Sequence, residues 1–237
     1  MSAPTASALR SEFLAALDGL FKDDSGSVTS EQDEWLDALT SALSSAWQDW
    51  EDNISGGALT VSGSGLGTWT GTGDGGSLSE GVALDWTAQP SFGRTGDLAE
   101  LDDALGDHTA DRFATWAGDY SFSGASYEGT STATSSSSGT FEATPVGTEV
   151  LANIGSGTAP SAVKGDVLST LDGQGWNTGA DQAEIDTWLA AYDAMIQNQF
   201  DEWLAGVTWN DNFVSGAAAS GTGSGSATSN PDDGTLQ

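Results

Sequence analysis

The sequence contains no cysteine and almost no basic residues. Without cysteine the chain has no disulfide framework, no thiol chemistry and no cysteine-based metal site. Five lysines and arginines stand against 35 aspartates and glutamates, which gives a formal net charge of −30. So few cations cannot neutralise a phosphate backbone, and anionic membranes would repel the chain. We therefore expect neither direct nucleic-acid binding nor membrane binding.

Long apolar runs are also missing. The N-terminal stretch MSAPTASALRSEF lacks the apolar core of a secretory signal, and no segment is long and apolar enough to span a bilayer. We expect a protein that is cytoplasmic, or that leaves the cell inside an assembled particle.

The acidic residues are dispersed along the chain rather than collected in one tail. In dilute buffer such a charge destabilises a folded chain by self-repulsion, but in molar salt the Debye length falls to about 3 Å and screens most of it. Dense carboxylates with almost no lysine indicate a halophilic protein that is surrounded by solvent cations. Ten tryptophans and eight phenylalanines argue against an acidic disordered chain.

Two amphipathic helices are predicted at the start of the chain. The first covers residues 7–22. The second opens at Thr29, which stands three residues before Gln32 as in a capping box, and ends near Asp52. Two such helices joined by a short turn form a hairpin that needs a further partner to cover its apolar stripe. The Gly-rich sequence that follows indicates strands or loops.

The opening motif occurs a second time. SALRSEFLAALDG at residues 7–19 aligns with SAVKGDVLSTLDG at residues 161–173, and helices are predicted over residues 161–171 and 182–204. We interpret the two segments as duplicated helical hairpins. Further matches keep nearly the same register, namely Trp35-Leu36 with Trp188-Leu189 and Val61-Ser62-Gly63 with Val214-Ser215-Gly216.

Each long helix ends with a pair of aromatic residues. There are three such pairs, and one of them belongs to a shorter middle copy of the repeated motif, which lacks most of the first helix. One interpretation places these side chains in the hydrophobic core; the other places part of them against neighbouring subunits, because aromatic residues are enriched in interface cores. The six candidate core or interface residues are Trp47, Trp50, Phe113, Trp116, Phe200 and Trp203.

The predicted fold class is α+β, with duplicated amphipathic helical hairpins that are each followed by Gly/Ser/Thr-rich β segments. The Gly/Ser-rich end of the chain is expected to be disordered unless a neighbouring subunit orders it. The predicted division is a helical hairpin at 1–57, a Gly-rich β segment at 58–96, a partial middle repeat at 97–159, a second helical hairpin at 160–206 and a Gly/Ser-rich segment at 207–237.

The sequence offers few residues for catalysis by histidine. His108, the single histidine, lies in LGDHTADRF, which we interpret as the start of a helix, and no G-x-S-x-G motif accompanies it. We interpret His108 as a solvated residue of the first helical turn.

Acidic pairs are frequent without forming a site. Asp102-Asp103 and Asp201-Glu202 fall on the predicted solvent faces of helices. Residues 22–34 fail as a calcium loop, since Phe21 and Gln32 would occupy ligand positions that need carboxylates. We predict no catalytic residue, no cofactor and no metal site, and hence no enzyme.

Residues 7–67 and 161–225 share one order of elements. Each has an amphipathic helix, a turn, a second amphipathic helix, a short Val-rich strand and a Gly/Thr/Ser-rich end. This order resembles small virion proteins of tailed phages and their archaeal relatives. Together with the acidic surface, the resemblance implies a structural component of a virus of a halophilic archaeon, in a capsid-associated, decoration, neck or tail position. It implies other virion proteins and copies of the chain itself as partners, with assembly in the host cytoplasm.

A second hypothesis is a surface-displayed carbohydrate- or receptor-binding module. In that case Trp69 and Trp86, within Gly/Ser/Thr-rich segments, would stack on sugars. A third hypothesis is a halophilic cytosolic enzyme, but the sequence contains no set of catalytic residues that would support it.

Overall fold

The computed structural model of the chain describes residues 2–17, 30–56, 59–64, 66–75, 78–87, 97–120, 122–133, 138–145, 149–150, 160–176, 178–206, 208–210, 214–219, 222–227 and 235–236. The helices in this part are α1 Ala6–Ala16, α2 Ser30–Asn53, α3 Asp97–Asp119, α4 Lys164–Gly173 and α5 Thr178–Gly206. The strands are β1 Ile54–Gly56, β2 Leu59–Ser64, β3 Gly67–Gly75, β4 Leu78–Glu80, β5 Phe122–Ser131, β6 Ser138–Pro145, β7 Glu149–Val150, β8 Thr208–Asn210, β9 Val214–Ala219, β10 Thr222–Ala227 and β11 Thr235–Leu236.

The first helix is set by its cap and its apolar spacing. Thr5 accepts a hydrogen bond from the backbone N–H of Ala8 at 3.2 Å, and Leu9 and Phe13 lie on the buried face. The helix ends at Ala16, earlier than the predicted residue 22. Residues 18–29, which include Thr29 and most of the segment compared with a calcium loop, lie outside the described residues.

The long helices follow the predicted apolar pattern closely. α2 ends at Asn53, next to the predicted end, and α5 extends beyond the predicted residues 182–204 at both ends. α4 begins at Lys164 rather than at residue 161, because the Asp193 carboxylate of α5 accepts the backbone N–H groups of Val163 at 2.9 Å and of Lys164 at 3.4 Å. Those two amides would otherwise have no partner inside the helix.

Six strands close into an antiparallel barrel in the order β10-β2-β3-β5-β6-β9. Each long helix is followed in the chain by one adjacent pair of these strands: α2 by β2–β3, α3 by β5–β6, and α5 by β9–β10. The three strand pairs therefore succeed one another around the barrel in chain order.

The register between neighbouring strand pairs repeats three times. At each of the three junctions, a glycine stands opposite one residue of the neighbouring pair. The partners are Trp69 with Gly129, Phe141 with Gly216, and Gly223 with Gly63.

These glycines are also equivalent in the sequence. Each follows the second aromatic residue of its helix by the same number of residues: Gly63 follows Trp50, Gly129 follows Trp116 and Gly216 follows Trp203. The long helix with its strand pair is therefore a unit that occurs three times about an approximate threefold axis.

Short strands extend two of the strand pairs towards the helices. β1 pairs with β4, and β8 pairs with both β11 and β7. The prediction that the C-terminal stretch is disordered unless another subunit orders it is wrong for the described part. β10 pairs with β2 along its whole length and β11 pairs with β8, both within the same chain.

The described basic residues tie helices together. Arg10 of α1 bonds Asp33 and Asp37 of α2, Arg112 of α3 bonds Asp166 of α4 at 2.6 Å, and Lys164 of α4 approaches Asp186 of α5 at 3.4 Å. The pairs are partly exposed, so each contributes little stability by itself. They nevertheless place the described cations where the two short helices meet the three long, strongly acidic helices.

The α+β fold class is confirmed. α1 contacts both α2 and α5, and α4 contacts both α3 and α5, so each short helix lies between two long ones. The predicted duplication of helical hairpins and the predicted division of the chain stay predictions.

Candidate functional site

The structure brings the six predicted aromatic residues together where the three long helices meet. Trp47, Phe113 and Phe200 form one triangle, with ring centroids separated by 4.8 Å (Trp47–Phe113), 5.7 Å (Phe113–Phe200) and 6.3 Å (Trp47–Phe200). All three side chains are fully buried. Each belongs to a different helix, so this triangle follows the threefold arrangement of the strand pairs.

The second residue of each pair forms a second triangle. Trp50, Trp116 and Trp203 are separated by 6.0 Å (Trp50–Trp116), 5.7 Å (Trp116–Trp203) and 5.5 Å (Trp50–Trp203) between ring centroids, and all are buried. Aromatic pairs at such distances contribute about 0.5–1.5 kcal/mol each beyond the burial of their area. The six residues therefore form core within one chain, and covering them does not require a neighbouring subunit.

A third aromatic group lies where α1 packs on the two longest helices. Phe13 of α1 contacts Trp35 of α2 and Trp188 of α5, and the rings of Trp35 and Trp188 lie 5.0 Å apart. The two tryptophans that matched each other in the sequence thus meet in space. Trp35 also donates a hydrogen bond to Asp102 of α3 at 3.1 Å.

Asp102 corrects one prediction. It was expected on a solvent face, but its side chain is buried and accepts the Trp35 indole N–H. Asp103, Asp201 and Glu202 are exposed, as expected. Indole N–H groups bond carboxylates at two further places, Trp50 to Glu80 and Trp176 to Glu100. These bonds could not be predicted from the sequence, because their partners come from distant parts of the chain.

His108 lies in the middle of α3 rather than at a helix start, because the helix begins at Asp97. Its Nε2 lies 2.8 Å from the hydroxyl of Thr170 on α4, and the side chain is half-buried. The adjacent Thr109 bonds the hydroxyl of Tyr192 on α5 at 2.8 Å, and burial raises the pKa of Tyr192 above its ordinary value. These bonds tie α3 to α4 and α5.

Burial raises the pKa of three further carboxyl groups in the described part of the chain. Burial raises the pKa of Glu51, although backbone and side-chain hydrogen bonds oppose the shift. Burial likewise raises the pKa of Glu80, whose carboxylate accepts the Trp50 indole N–H. The pKa of Asp193 is raised by burial and partly lowered by the amides of Val163 and Lys164. Glu51 and Glu80 are close to the end of α2, where the helices join the strands.

The described residues offer no obvious place for a metal. Within them, no three histidine, cysteine, aspartate or glutamate side chains converge as a set of ligands. The predictions that the chain binds no metal and no cofactor, and that it is no enzyme, stay predictions.

Large aromatic side chains occupy the barrel interior. Trp69 and Phe141 are fully buried there and stack on each other, and Tyr127 is buried as well. Trp86, which follows β4, is also fully buried. The hypothesis that Trp69 and Trp86 present ring faces to a sugar is therefore wrong.

The end of the barrel away from the helices is a candidate interaction surface. The residues next to its three strand turns are neighbours in the register: Ser64 pairs with Thr222, Gly67 with Ser131, and Ser138 with Ala219. We call these six residues, together with Leu66, the distal end; Ser64, Leu66 and Gly67 are exposed, and Ser131 is buried. Leu66 is 53% exposed, and the only comparable large apolar side chain in the described part is Val82, at 45%.

The distal end differs from the rest of the chain in charge. The seven residues of the distal end carry no charge, and the sequence stretches in which they lie, residues 61–71, 129–141 and 215–225, contain no charged residue either. Most of the 35 acidic residues lie in the helices, whereas the six barrel strands contain only Asp74, Glu128 and Glu142. The glycine-rich sequence around Leu66 predicts only strands or loops, so this surface cannot be recognised before the strands are paired.

A scan against protein-family models finds no match, and searches of curated proteins and of solved structures find none either. In the described part of the chain, no helix combines the length and the apolar content that crossing a bilayer requires. A functional proposal therefore has to rest on the residues and geometry of this chain.

Proposed function

We propose that the chain is a non-enzymatic structural component of the particle of a halophilic archaeal tailed virus. In this role it is a capsid-associated or decoration protein, or a neck or tail protein, and it is assembled in the host cytoplasm. It acts by packing against other virion proteins and copies of itself. The cations of a saline medium screen its carboxylates.

The observation that carries the proposal is the threefold register of the strand pairs. Three equivalent units lie around one axis, because the register pairs Trp69 with Gly129, Phe141 with Gly216 and Gly223 with Gly63. Large assemblies are built about symmetry axes, and a single chain with approximate threefold symmetry fits a position on such an axis. The largest aromatic residues are used in the core, which suits a rigid building block better than a protein with an open binding cleft.

The test is to look for the chain in virus particles. We expect mass spectrometry of density-purified particles from a halophilic archaeal host to detect it at a fixed ratio to the major shell protein. A matched gradient fraction from uninfected cells is the control. Detection in the host cytosol and never in particles would contradict the proposal.

A receptor-binding module displayed on a particle is the second candidate. It is favoured by the exposure of Leu66 at the distal end, although the buried Trp69 and Trp86 cannot stack on sugars. We would expect a labelled chain to bind host cells in molar salt, with unlabelled chain competing for the same sites. Binding to unrelated halophilic cells with equal strength would argue against recognition of a receptor.

A further inference from the structure

We infer that the first turn of α4, residues 163–166, is a latch. The Asp193 carboxylate of α5 holds it closed, and it opens before the rest of the helical body. The inference goes beyond the proposed function, because it concerns a movement within the chain. It starts from a comparison with α1, which aligns with α4 in the sequence and likewise lies between two long helices.

The two short helices begin differently. α1 is capped by its own segment, because the Thr5 hydroxyl accepts the backbone N–H of Ala8. Val163 takes the capping position of α4, and its apolar side chain accepts no hydrogen bond. Asp193 instead accepts the backbone N–H groups of Val163 at 2.9 Å and of Lys164 at 3.4 Å. The start of α4 is therefore held by a residue of another helix.

The backbone is strained immediately before α4. Ala162 has a φ of +70°, and in the described part of the chain it is the only residue other than glycine in the left-handed region. The Cβ of an L-residue disfavours this conformation, which persists only where surrounding contacts impose it. Here the contacts are those that dock the first turn of α4. Opening the turn would relieve the strain at Ala162, so the strain favours release.

Two aligned positions make α4 the weaker of the two short helices. α4 has Gly165 where α1 has Ser11. A Cβ on Gly165 would meet no atom within 4 Å, so packing does not require a glycine there, and glycine disfavours a helix relative to other residues. α4 has Val167 where α1 has Phe13, whose ring packs against two tryptophans of the long helices. The first turn of α4 therefore depends on contacts with other elements more than α1 does.

The polar contacts of the turn are weak. Arg112–Asp166, at 2.6 Å, and Lys164–Asp186, at 3.4 Å, are ion pairs between partly exposed side chains, and molar salt screens them. Burial raises the pKa of Asp193, although the two amides that it accepts oppose the shift. The amides thus compensate only part of the cost of keeping this carboxylate away from water. The closed turn is held mainly by one partly desolvated carboxylate, against the strain that precedes the helix.

The absence of cysteine from the sequence provides a probe of opening. Val163→Cys places a thiol at a position that is buried, and Leu9→Cys places one at the aligned, buried position of α1. In the full chain in molar potassium chloride, we expect Val163→Cys to react with N-ethylmaleimide, an uncharged reagent, at least about tenfold faster than Leu9→Cys. The loss of side-chain volume is larger in Leu9→Cys and works against this difference. Circular dichroism should show that both variants keep the fold.

A glycine at position 162 separates a strained latch from ordinary fraying of a helix end. Ala162→Gly should slow the labelling of Val163→Cys about fivefold, because glycine adopts the left-handed conformation without strain and the closed state is stabilised. Fraying of an unstrained helix end would be unchanged or faster with an added glycine. Ala8→Gly is the matched control in α1. It should speed the labelling of Leu9→Cys, since Ala8 lies inside a helix.

Asp193 is tested by removing its carboxylate. Asp193→Ala deprives both amides of their acceptor and should speed the labelling of Val163→Cys about tenfold or more. Asp201→Ala is the matched control, since Asp201 is an exposed carboxylate of the same helix, and it should leave the rate unchanged. Neither substitution should change the labelling of Leu9→Cys, which separates opening of the turn from destabilisation of the whole chain.

Three results would overturn the inference. Equal labelling rates of Val163→Cys and Leu9→Cys would mean that unfolding of the whole chain exposes both thiols. An unchanged or faster rate with Ala162→Gly would mean that no strain favours release. Equal effects of Asp193→Ala and Asp201→Ala would mean that Asp193 does not hold the turn.

Discussion

Trp69 and Phe141 stack face to face inside the barrel, with ring centroids 4.2 Å apart and ring planes 7° apart. They occupy equivalent positions in the first two strand pairs, and Gly223 occupies the third, as the register with Gly129, Gly216 and Gly63 shows. A six-stranded barrel has a narrow interior. Two large rings and one glycine therefore fill a space that three equivalent large rings would overfill.

Removing one ring of this stack should destabilise the chain severely. We expect Phe141→Ala to lower the free energy of unfolding by about 3–5 kcal/mol, because a fully buried ring is lost and closed strands cannot collapse onto the cavity. Urea unfolding in molar potassium chloride measures the change. Thr140→Ser, at an exposed neighbour on the same strand, keeps the hydroxyl that bonds Thr132 and is the control; it should change the stability by less than about 0.5 kcal/mol. A small effect of Phe141→Ala would mean that the two rings do not support the barrel.

Gly129 tests the close approach of the strands. A Cβ at this position would overlap the carbonyl oxygen of Glu142 and the Cα of Ala143 on the neighbouring strand. We expect Gly129→Ala to destabilise the chain by about 1–3 kcal/mol. Gly118→Ala is the matched control in α3, where a Cβ meets no atom within 4 Å, and it should stabilise by up to about 1 kcal/mol through helix propensity. Equal effects of the two substitutions in thermal unfolding would contradict the strand register.

The helical half of the fold could be predicted because helix periodicity is a local signal. The stripes and the three aromatic pairs located α2, α3 and α5, and the spacing of Phe113 and Trp116 identified the middle copy. α3 was nevertheless expected to start near His108. The run DLAELDDALGD before that histidine belongs to the helix, and its Gly106 is accommodated closely against Thr87.

The barrel could not be predicted, because its segments become strands by pairing with distant segments and their own sequences carry little strand pattern. TGSGSA in β10 has almost no apolar alternation, and it becomes a strand through its pairing with β2, far away in the chain. The burial of Asp102 depends in the same way on Trp35. The candidate surface at the distal end was missed because its residues come from three separate parts of the chain and become neighbours only through the strand pairing.

Low salt should unfold the chain. We expect circular dichroism to show loss of helical signal when potassium chloride is dialysed away, because the carboxylates of the five helices then repel one another without screening. A non-ionic osmolyte at the same osmolarity should not restore the signal. Retention of the full helical signal in dilute buffer would show that the acidic surface is not an adaptation to salt.

Mild acid should stabilise the chain at constant high salt. The pKa values of Glu51, Glu80 and Asp193 are raised in the folded chain, in each case chiefly by burial. An acid whose pKa is raised by folding gives its full stabilisation below its ordinary pKa, and this stabilisation is lost as the pH rises through the folded pKa. The free energy of unfolding should therefore increase when the pH is lowered from about 7 to about 5.

Glu80 allows this pH dependence to be assigned to a residue. Glu80→Gln keeps an oxygen that can accept the Trp50 indole N–H but removes the titrating group, so the gain in stability on acidification should become smaller. Glu128→Gln removes an exposed carboxylate of the barrel by the same chemical change and should leave that gain unchanged. Urea unfolding of the wild type and both variants at the two pH values, in molar potassium chloride, provides the comparison. If the two variants respond alike, the pH dependence arises from the overall charge of the chain and not from the poorly solvated carboxyl group beside Trp50.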